Sequence, residues 1–100
     1  MIDRFPTPIT IARVEAIPLR IPFGAPKEFA AVAGAWTMLD IALVRIETTD
    51  GAVGWGDGFA YMCLESVTQA IATMVAPRLV GQTIASPAAA NDMLQRQLHL

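Results

Sequence analysis

The run LVRIETTDGAVGWGDGF, residues Leu43–Phe59, constrains the fold more than any other part of the chain. Up to Thr48 its residues alternate with a period of two, which is typical of a β-strand. The Asp50-Gly51 pair supplies a positive-φ turn that folds the chain back into a further strand at Ala52–Gly56. The run therefore predicts an antiparallel β-hairpin.

A strand precedes this hairpin. Residues from Ile9 to Ile21 alternate in the same way, and Pro18 removes one ladder donor, so we expect it at an edge or a bulge. The hairpin's first strand is predicted to begin near Trp36. Between them, Pro22–Ala35 forms a loop too long for a simple connection; long ordered loops are often functional, and a disordered connection is the alternative. These segments predict a three-stranded antiparallel meander.

Beyond the hairpin the apolar period becomes helical. Pro77 is expected to end a first helix, and Gly81 to follow its last turn. Ser86 and Pro87 form an N-cap and first-turn pair, which predicts a second helix. We expect an α+β domain with both helices packed on one face of the sheet. The apolar faces comprise Leu64, Val67, Ile71, Met74 and Val75 in the first helix, and Ala90, Met93, Leu94 and Leu98 in the second.

Composition indicates a covered surface. Hydrophobic residues make up 54% of the chain and charged residues 16%, where about 25% charged is usual. Either the 17 alanines inflate the apolar share, or one face docks on another domain or subunit. We expect a homo-oligomer, formed through the C-terminal helix. No stop signal follows that helix, so residues 1–100 are predicted to be one domain and an amino-terminal fragment of a longer protein.

The charge and the cysteine content of the chain exclude several classes of protein. A net charge of −2 with seven scattered basic residues gives no footprint for nucleic acid or an anionic membrane. No apolar run reaches the roughly 20 residues of a membrane span, and the start MIDRFPTP is unlike a secretory signal. We therefore expect a cytoplasmic protein. Cys63 is the only cysteine, which excludes an internal disulfide, and we expect it to be buried.

The chain carries no catalytic constellation. One Lys and one His, Lys27 and His99, leave no base with a fixed partner. Gly54, Gly56 and Gly58 do not form a phosphate loop, because Phe59 stands where the third glycine of GxGxxG is needed. No catalytic residue, metal ligand or cofactor is predicted in this chain. The acids Asp40, Glu47, Asp50, Asp57 and Glu65 have no spacing that would converge on a metal ion.

The order of these motifs resembles a known family. Besides the hairpin, the resemblance rests on Ile9, Val14, Glu15, Ala16, Pro22 and Phe23 before it and on Ala76, Pro77, Leu79 and Gly81 after it. The chain resembles the amino-terminal capping domain of mandelate racemase and muconate-lactonising enzymes, in the enolase superfamily. The resemblance covers nearly the whole chain.

The resemblance implies a lid over a (β/α) barrel that this chain lacks. The barrel would hold Mg²⁺ and abstract a proton α to the carboxylate of a small substrate, as a racemase, cycloisomerase or acid-sugar dehydratase. Two lid loops, here Phe23–Phe29 and Asp57–Met62, would contact the distal part of the substrate. Asp57 stands where many members carry Glu. The lid candidates are Phe23, Lys27, Phe29, Asp57, Phe59 and Tyr61.

A second function class stays open. A self-standing α+β module could use its apolar surplus for homo-oligomeric interaction and catalyse nothing. Continuation of the reading frame into a barrel would separate the two hypotheses.

Overall fold

A computed structural model describes residues 4–24 and 37–98, which form an α+β domain. The first helix predicted from sequence is built of three consecutive segments, which we name separately. The strands are β1 (Ile9–Pro22), β2 (Met38–Thr48), β3 (Val53–Phe59) and β4 (Thr83–Ile84), and the helices are α1 (Leu64–Ala70), a π-helical turn (Ile71–Val75), α2 (Ala76–Leu79) and α3 (Pro87–Leu98).

The sheet is antiparallel, with four strands in the order β3-β2-β1-β4. The predicted meander of β1, β2 and β3 is confirmed, but the predicted number of three strands is wrong. The added strand β4 pairs only with Ile9 and Thr10 of β1. Two residues are too few to show the alternation by which a strand is recognised in a sequence.

The predicted hairpin turn is present. Gly51 has φ of +90°, and the amide of Thr48 donates to the carbonyl of Ala52 at 2.9 Å. The Thr48 hydroxyl donates to the carboxylate of Asp50 and accepts from the amide of Ala52 at 3.0 Å. One side chain thus ties both ends of the turn together, which fixes the register of β2 against β3.

β3 runs three residues beyond its predicted end at Gly56. Its partner β2 continues the ladder as far as the pair between Ile41 and Phe59. Gly58 allows this extension because it lies beneath α1. A Cβ added there would meet Val67 Cγ1 at 3.4 Å. The absence of a side chain therefore lets helix and strand approach closely.

The edge position predicted for Pro18 is confirmed. β1 pairs with β4 only through Ile9 and Thr10, so among the described strands Pro18 has a neighbour on one side alone, where it pairs with Ala42. The irregularity in the ladder lies between Ile11 and Arg13 instead. Proline is tolerated at an open edge because no second strand requires its missing amide.

Pro77 does not end the first helix, contrary to prediction. Proline lacks an amide hydrogen, and its ring clashes with the carbonyl four residues earlier. The π-helical turn directly before it relieves this conflict, since the amide of Ala76 donates to the carbonyl of Ile71 five residues back. Arg78 Nη1 donates to the carbonyl of Met74 at 2.7 Å. Met74, which lies in this wider turn and was predicted on the apolar face, is 46% exposed.

Two buried clusters lie between the sheet and the helices. The smaller combines Ala42, Ala60 and Leu64, against which α1 packs. The larger combines Ile11, Leu79 and Ile84, and the apolar side of α3 covers it through Ala90, Met93 and Leu94. Self-association through α3 stays a prediction, but this helix already has cover within the chain.

The start of α3 matches its sequence prediction. The amide of Ala89 donates to Ser86 Oγ at 3.0 Å, and Pro87 occupies the first helical position.

Among the described residues no helix is both long and apolar enough to cross a membrane.

Replacing Gly51 by Val should lower stability by about 1–3 kcal/mol, because a β-branched residue resists a positive φ. The urea midpoint measures the loss. Gly54→Val is the matched control, since Gly54 lies in β3 without positive φ and an added Cβ meets nothing within 4 Å. Equal midpoints for the two variants would contradict the turn geometry.

The turn also predicts a pH dependence. The hydrogen bond from Thr48 lowers the pKa of Asp50 from its usual 3.8. Because the folded pKa is depressed, this stabilisation is present above pH 3.8 and is lost as pH falls through the folded pKa. Asp50→Asn should therefore shrink the fall in urea midpoint between about pH 6 and about pH 2. Thr48→Val should shrink it too, and the double variant should add nothing further.

Candidate functional site

Three strand ends meet at one end of the sheet. Pro22, the last residue of β1, pairs with Met38, the first of β2, while Phe59 ends β3 beside Ile41. The two connections predicted to form a lid therefore leave the sheet from the same end. The hairpin turn at Gly51 lies at the opposite end. We call the first end the lid end.

The structure places four of the six lid candidates. Phe23 follows β1 directly, and its amide donates to the carbonyl of Thr37 at 2.8 Å. Asp57 and Phe59 lie two residues apart on β3, so their side chains share one face of the sheet. Tyr61 lies in the turn that follows. Lys27 and Phe29 fall outside the described residues.

Phe59 and Tyr61 form an exposed aromatic pair. Their ring centroids are 6.4 Å apart with an interplanar angle of 26°, a stacked arrangement. The Phe59 residue is 74% exposed and Tyr61 44%. The alternative that these rings are core aromatics over the helix does not fit such exposure. Two stacked rings at the surface can offer a flat apolar contact to a small molecule.

The turn between β3 and α1 is anchored at both ends and exposed between them. Ala60 is fully buried and Leu64 is 5% exposed, whereas Met62 is 82% exposed. The amide of Cys63 donates to the carbonyl of Ala60 at 3.1 Å, which closes a four-residue turn. Cys63 itself is exposed, so its predicted burial is wrong.

Met62 occupies a strained position in this turn. Its φ of +59° makes it the one described non-glycine residue with positive φ. The third residue of a type II turn requires such a φ and is normally Gly or Asn. A methionine there costs about 1–3 kcal/mol, and such strain is concentrated at functional sites.

Asp57 borders a recess on the sheet face opposite the helices. The recess measures about 310 Å³ and is lined by Leu19, Ile41, Leu43 and Trp55. A single carboxylate at the rim of an apolar surface can accept a hydrogen bond from a ligand hydroxyl.

Ion pairs hold the lid end and its neighbouring face. Arg20 Nε donates to Asp40 Oδ1 at 3.0 Å, and its Nη2 lies 3.5 Å from Glu65 in the first turn of α1. The hydrogen bond to Asp40 raises the pKa of Arg20. This arginine therefore joins β1 and β2 to the helix that follows the lid turn.

A second cluster of ion pairs lies farther along the sheet face opposite the helices. Arg45 Nη1 donates to Glu47 at 3.0 Å and to Glu15 at 3.1 Å, and its guanidinium carbon lies 6.0 Å from the Trp55 ring. The carboxylates of Glu15 and Glu47 therefore both form ion pairs with Arg45. Within residues 4–24 and 37–98, no group of three His, Cys, Asp or Glu side chains could hold a metal ion.

A larger apolar groove of about 650 Å³ lies between the sheet and α3. Gly54 and Gly56 of β3 form part of its floor, and Ala90 and Leu94 part of its wall. It lies toward the hairpin, away from the lid end, so the lid candidates do not line it.

Sequence reasoning missed the recess lining and the strain at Met62. The recess exists because Leu19, Ile41 and Leu43 come to one face through the pairing of β1 with β2. A pairing register depends on contacts between residues that are distant in the sequence, so it cannot be predicted from the sequence of one strand. Type II turn chemistry would have predicted Gly or Asn at position 62, so a Met there could not mark the turn.

Comparison with known proteins identifies the family. Residues 10–99 match the family described as Mandelate racemase / muconate lactonizing enzyme, N-terminal domain. The chain belongs to this family. The matched segment includes every element from β1 through α3 except Ile9 at its start. No curated protein shows significant similarity to the chain.

A solved family member has the same fold. The chain is similar to a mandelate racemase/muconate lactonizing enzyme from Bordetella bronchiseptica RB50, with 31% sequence identity and a TM-score of 0.67. The likeness covers 90% of this chain but 22% of the relative. It confirms the family and the α+β fold predicted from sequence.

Strain at Met62 gives this family member a testable property. Met62→Gly should raise the urea midpoint, corresponding to about 1 kcal/mol, because glycine adopts positive φ without steric cost. Tyr61→Gly is the matched control, since Tyr61 has no positive φ and gains nothing from the change. If both variants lose stability equally, the turn is not strained.

Proposed function

We propose that this chain is the substrate-selecting lid domain of an enolase-superfamily enzyme that abstracts a proton α to the carboxylate of a small substrate. The chain is one capping domain over residues 1–100. Its partner is a carboxy-terminal (β/α) barrel, and the parent enzyme is a racemase, cycloisomerase or acid-sugar dehydratase. The enzyme is a cytoplasmic homo-oligomer.

One observation carries this proposal: both candidate lid segments leave the same end of the sheet. The 23–37 connection joins β1 to β2, and the turn at residues 60–63 follows Phe59. Two segments at one end of a rigid sheet can close together over the mouth of a barrel. Segments at opposite ends could not do so.

The aromatic pair provides a chemical basis for selection. Phe59 and Tyr61 present stacked apolar surface that can contact the distal part of a substrate. Asp57, on the same strand as Phe59, can accept a hydrogen bond from a substrate hydroxyl. When such a lid closes it also removes water from the reacting carboxylate. Phe23, Lys27 and Phe29 of the first segment are further candidates for contact with the substrate.

The chemistry itself is assigned to the barrel. The family is Mg²⁺-dependent in general, and Mg²⁺ needs several oxygen ligands together. In the described part of this chain the acids do not gather in such a group, and Asp40, Glu15 and Glu47 face arginines. These described residues therefore do not fit a Mg²⁺ site.

A domain exchange tests the lid role. This chain replaces the corresponding amino-terminal domain of the Bordetella bronchiseptica relative, and proton NMR in deuterated water follows exchange at the α-carbon of a panel of hydroxy and sugar acids. For any acid that exchanges, Phe59→Ala and Tyr61→Ala should each raise KM by about tenfold, a loss of about 1.4 kcal/mol in binding.

Val80→Ala is the matched control. Val80 follows α2, is 43% exposed and lies outside both β3 and the lid end, so its replacement should leave KM unchanged. If the aromatic variants and the control give the same KM for every acid, the lid role is wrong. An exchange enzyme that is inactive while this chain remains folded and associated would favour the homo-oligomeric interaction module.

A further inference from the structure

No strand in the described part of the chain pairs with the outer edge of β3. β3 has β2 as its neighbour on one side and no described strand on the other. Its seven residues contain no Pro, Lys or Arg, and Asp57 is the one charge among them. Exposed edges usually carry such residues because unpaired amides and carbonyls otherwise recruit another strand.

The backbone groups along this edge are set by the ladder with β2. The amide of Thr48 donates to the carbonyl of Ala52, so Ala52 turns its backbone toward β2. In an antiparallel ladder this orientation alternates from residue to residue. Every second residue of β3 therefore directs its amide and carbonyl outward, and these residues are Val53, Trp55, Asp57 and Phe59.

We propose that the β3 edge binds β3 of a second copy of this chain, forming one continuous eight-stranded antiparallel sheet about a two-fold axis at Gly56. In this register Trp55 faces Asp57 of the second copy, and Val53 faces its Phe59. All four outward-directed residues then exchange amide-to-carbonyl hydrogen bonds. The proposal goes beyond the lid function because it concerns the backbone edge of β3, although Asp57 and Phe59 of this strand are also lid candidates.

The sequence of β3 selects this register. A shift of the axis to Asp57 would set the two Asp57 carboxylates opposite each other, and like charges directly opposed are destabilising. A shift to Trp55 would pair Val53 with Asp57 and leave Phe59 unpaired. The axis at Gly56 pairs every outward residue, joins Phe59 with a β-branched residue, and opposes no like charges.

Glycines also make the central contact possible. At the axis the two Gly56 residues form a non-hydrogen-bonded pair, with Cα atoms about 4.5 Å apart, and their facing sides carry no side chain. The pairing has a consequence for the lid end. Phe59 would lie beside Val53 of the second copy, so the base of the lid turn would be held by the neighbouring chain.

Disulfide trapping tests the register. In a Cys63→Ser background, Gly56→Cys places two thiols across the axis, within the usual 4.4–6.8 Å Cα range for a disulfide, about 4.5 Å. A Cβ at Gly56 meets nothing within 4 Å. With oxidised glutathione, this variant should form a covalent dimer at least about tenfold faster than the control described next.

Gly54→Cys in the same background is the control. Gly54 also has free space for a Cβ, but in the proposed register it faces Gly58 of the second copy and lies about 13 Å from the second Gly54. Two such thiols cannot be bridged without moving the strands. Equal rates of cross-linking for the two variants overturn the register.

Charge reversal tests the pairing in solution. The double variant Val53→Lys/Phe59→Lys places like charges opposite each other in both symmetric pairs, whereas Val53→Lys/Phe59→Glu places opposite charges there. Sedimentation at low salt should give dissociation constants that differ by at least about tenfold, with the Lys/Glu variant tighter. Identical dissociation constants would show that association does not involve this edge. Neither result depends on a barrel or a substrate, so failure here is separate from failure of the lid role.

Discussion

The long antiparallel ladder between β1 and β2 decides where every functional side chain lies. Successive residues of a strand point to opposite faces, so a shift of one residue would move each side chain to the other face. Two features mark this register, the irregularity between Ile11 and Arg13 and the ion pair of Arg20 with Asp40, while the Thr48 side chain fixes the register of β2 against β3. With the register fixed, Ala42 faces the helices, while Leu43 and Ile41 line the recess beside Asp57.

Small residues then place the lid turn on this frame. Ala42 and Ala60 are fully buried, and Gly58 lies beneath Val67, so α1 can approach the sheet closely. The buried side chains of Ala60 and Leu64 fix the two ends of the turn, and the residues between them have no room inward. Exposure of Tyr61 and Met62 is thus a result of packing, and it would disappear if the helix moved away from the sheet.

The sequence predicted those features that arise from local chemistry. Asp50-Gly51 requires a turn, and Ser86-Pro87 starts a helix, and both occur where expected. The predictions were wrong where contacts between residues distant in the sequence determine the structure. The end of β3 depends on the length of β2 and on the space beneath Val67, and β4 exists because β1 offers it a partner. Continuation of the helix through Pro77 depends on a π-helical turn, which has no sequence pattern of its own. Of the candidate site, the aromatic turn could be predicted, whereas the recess required the pairing register.

Stability and function make opposite demands at the lid end. Glycine would remove the strain at Met62, yet it would also loosen a turn whose aromatic side chains need one orientation in the proposed lid role. Edge pairing at β3 bears on the same conflict. β3 of a second copy, paired with Phe59, would restrict the motion of the base of the turn. The turn would then need no further contacts within its own chain. The glycine-rich β3 edge and the strained, exposed turn are adjacent in the chain. The turn presents side chains for contact with a ligand, and strand pairing at the edge would restrict the motion of the turn's base.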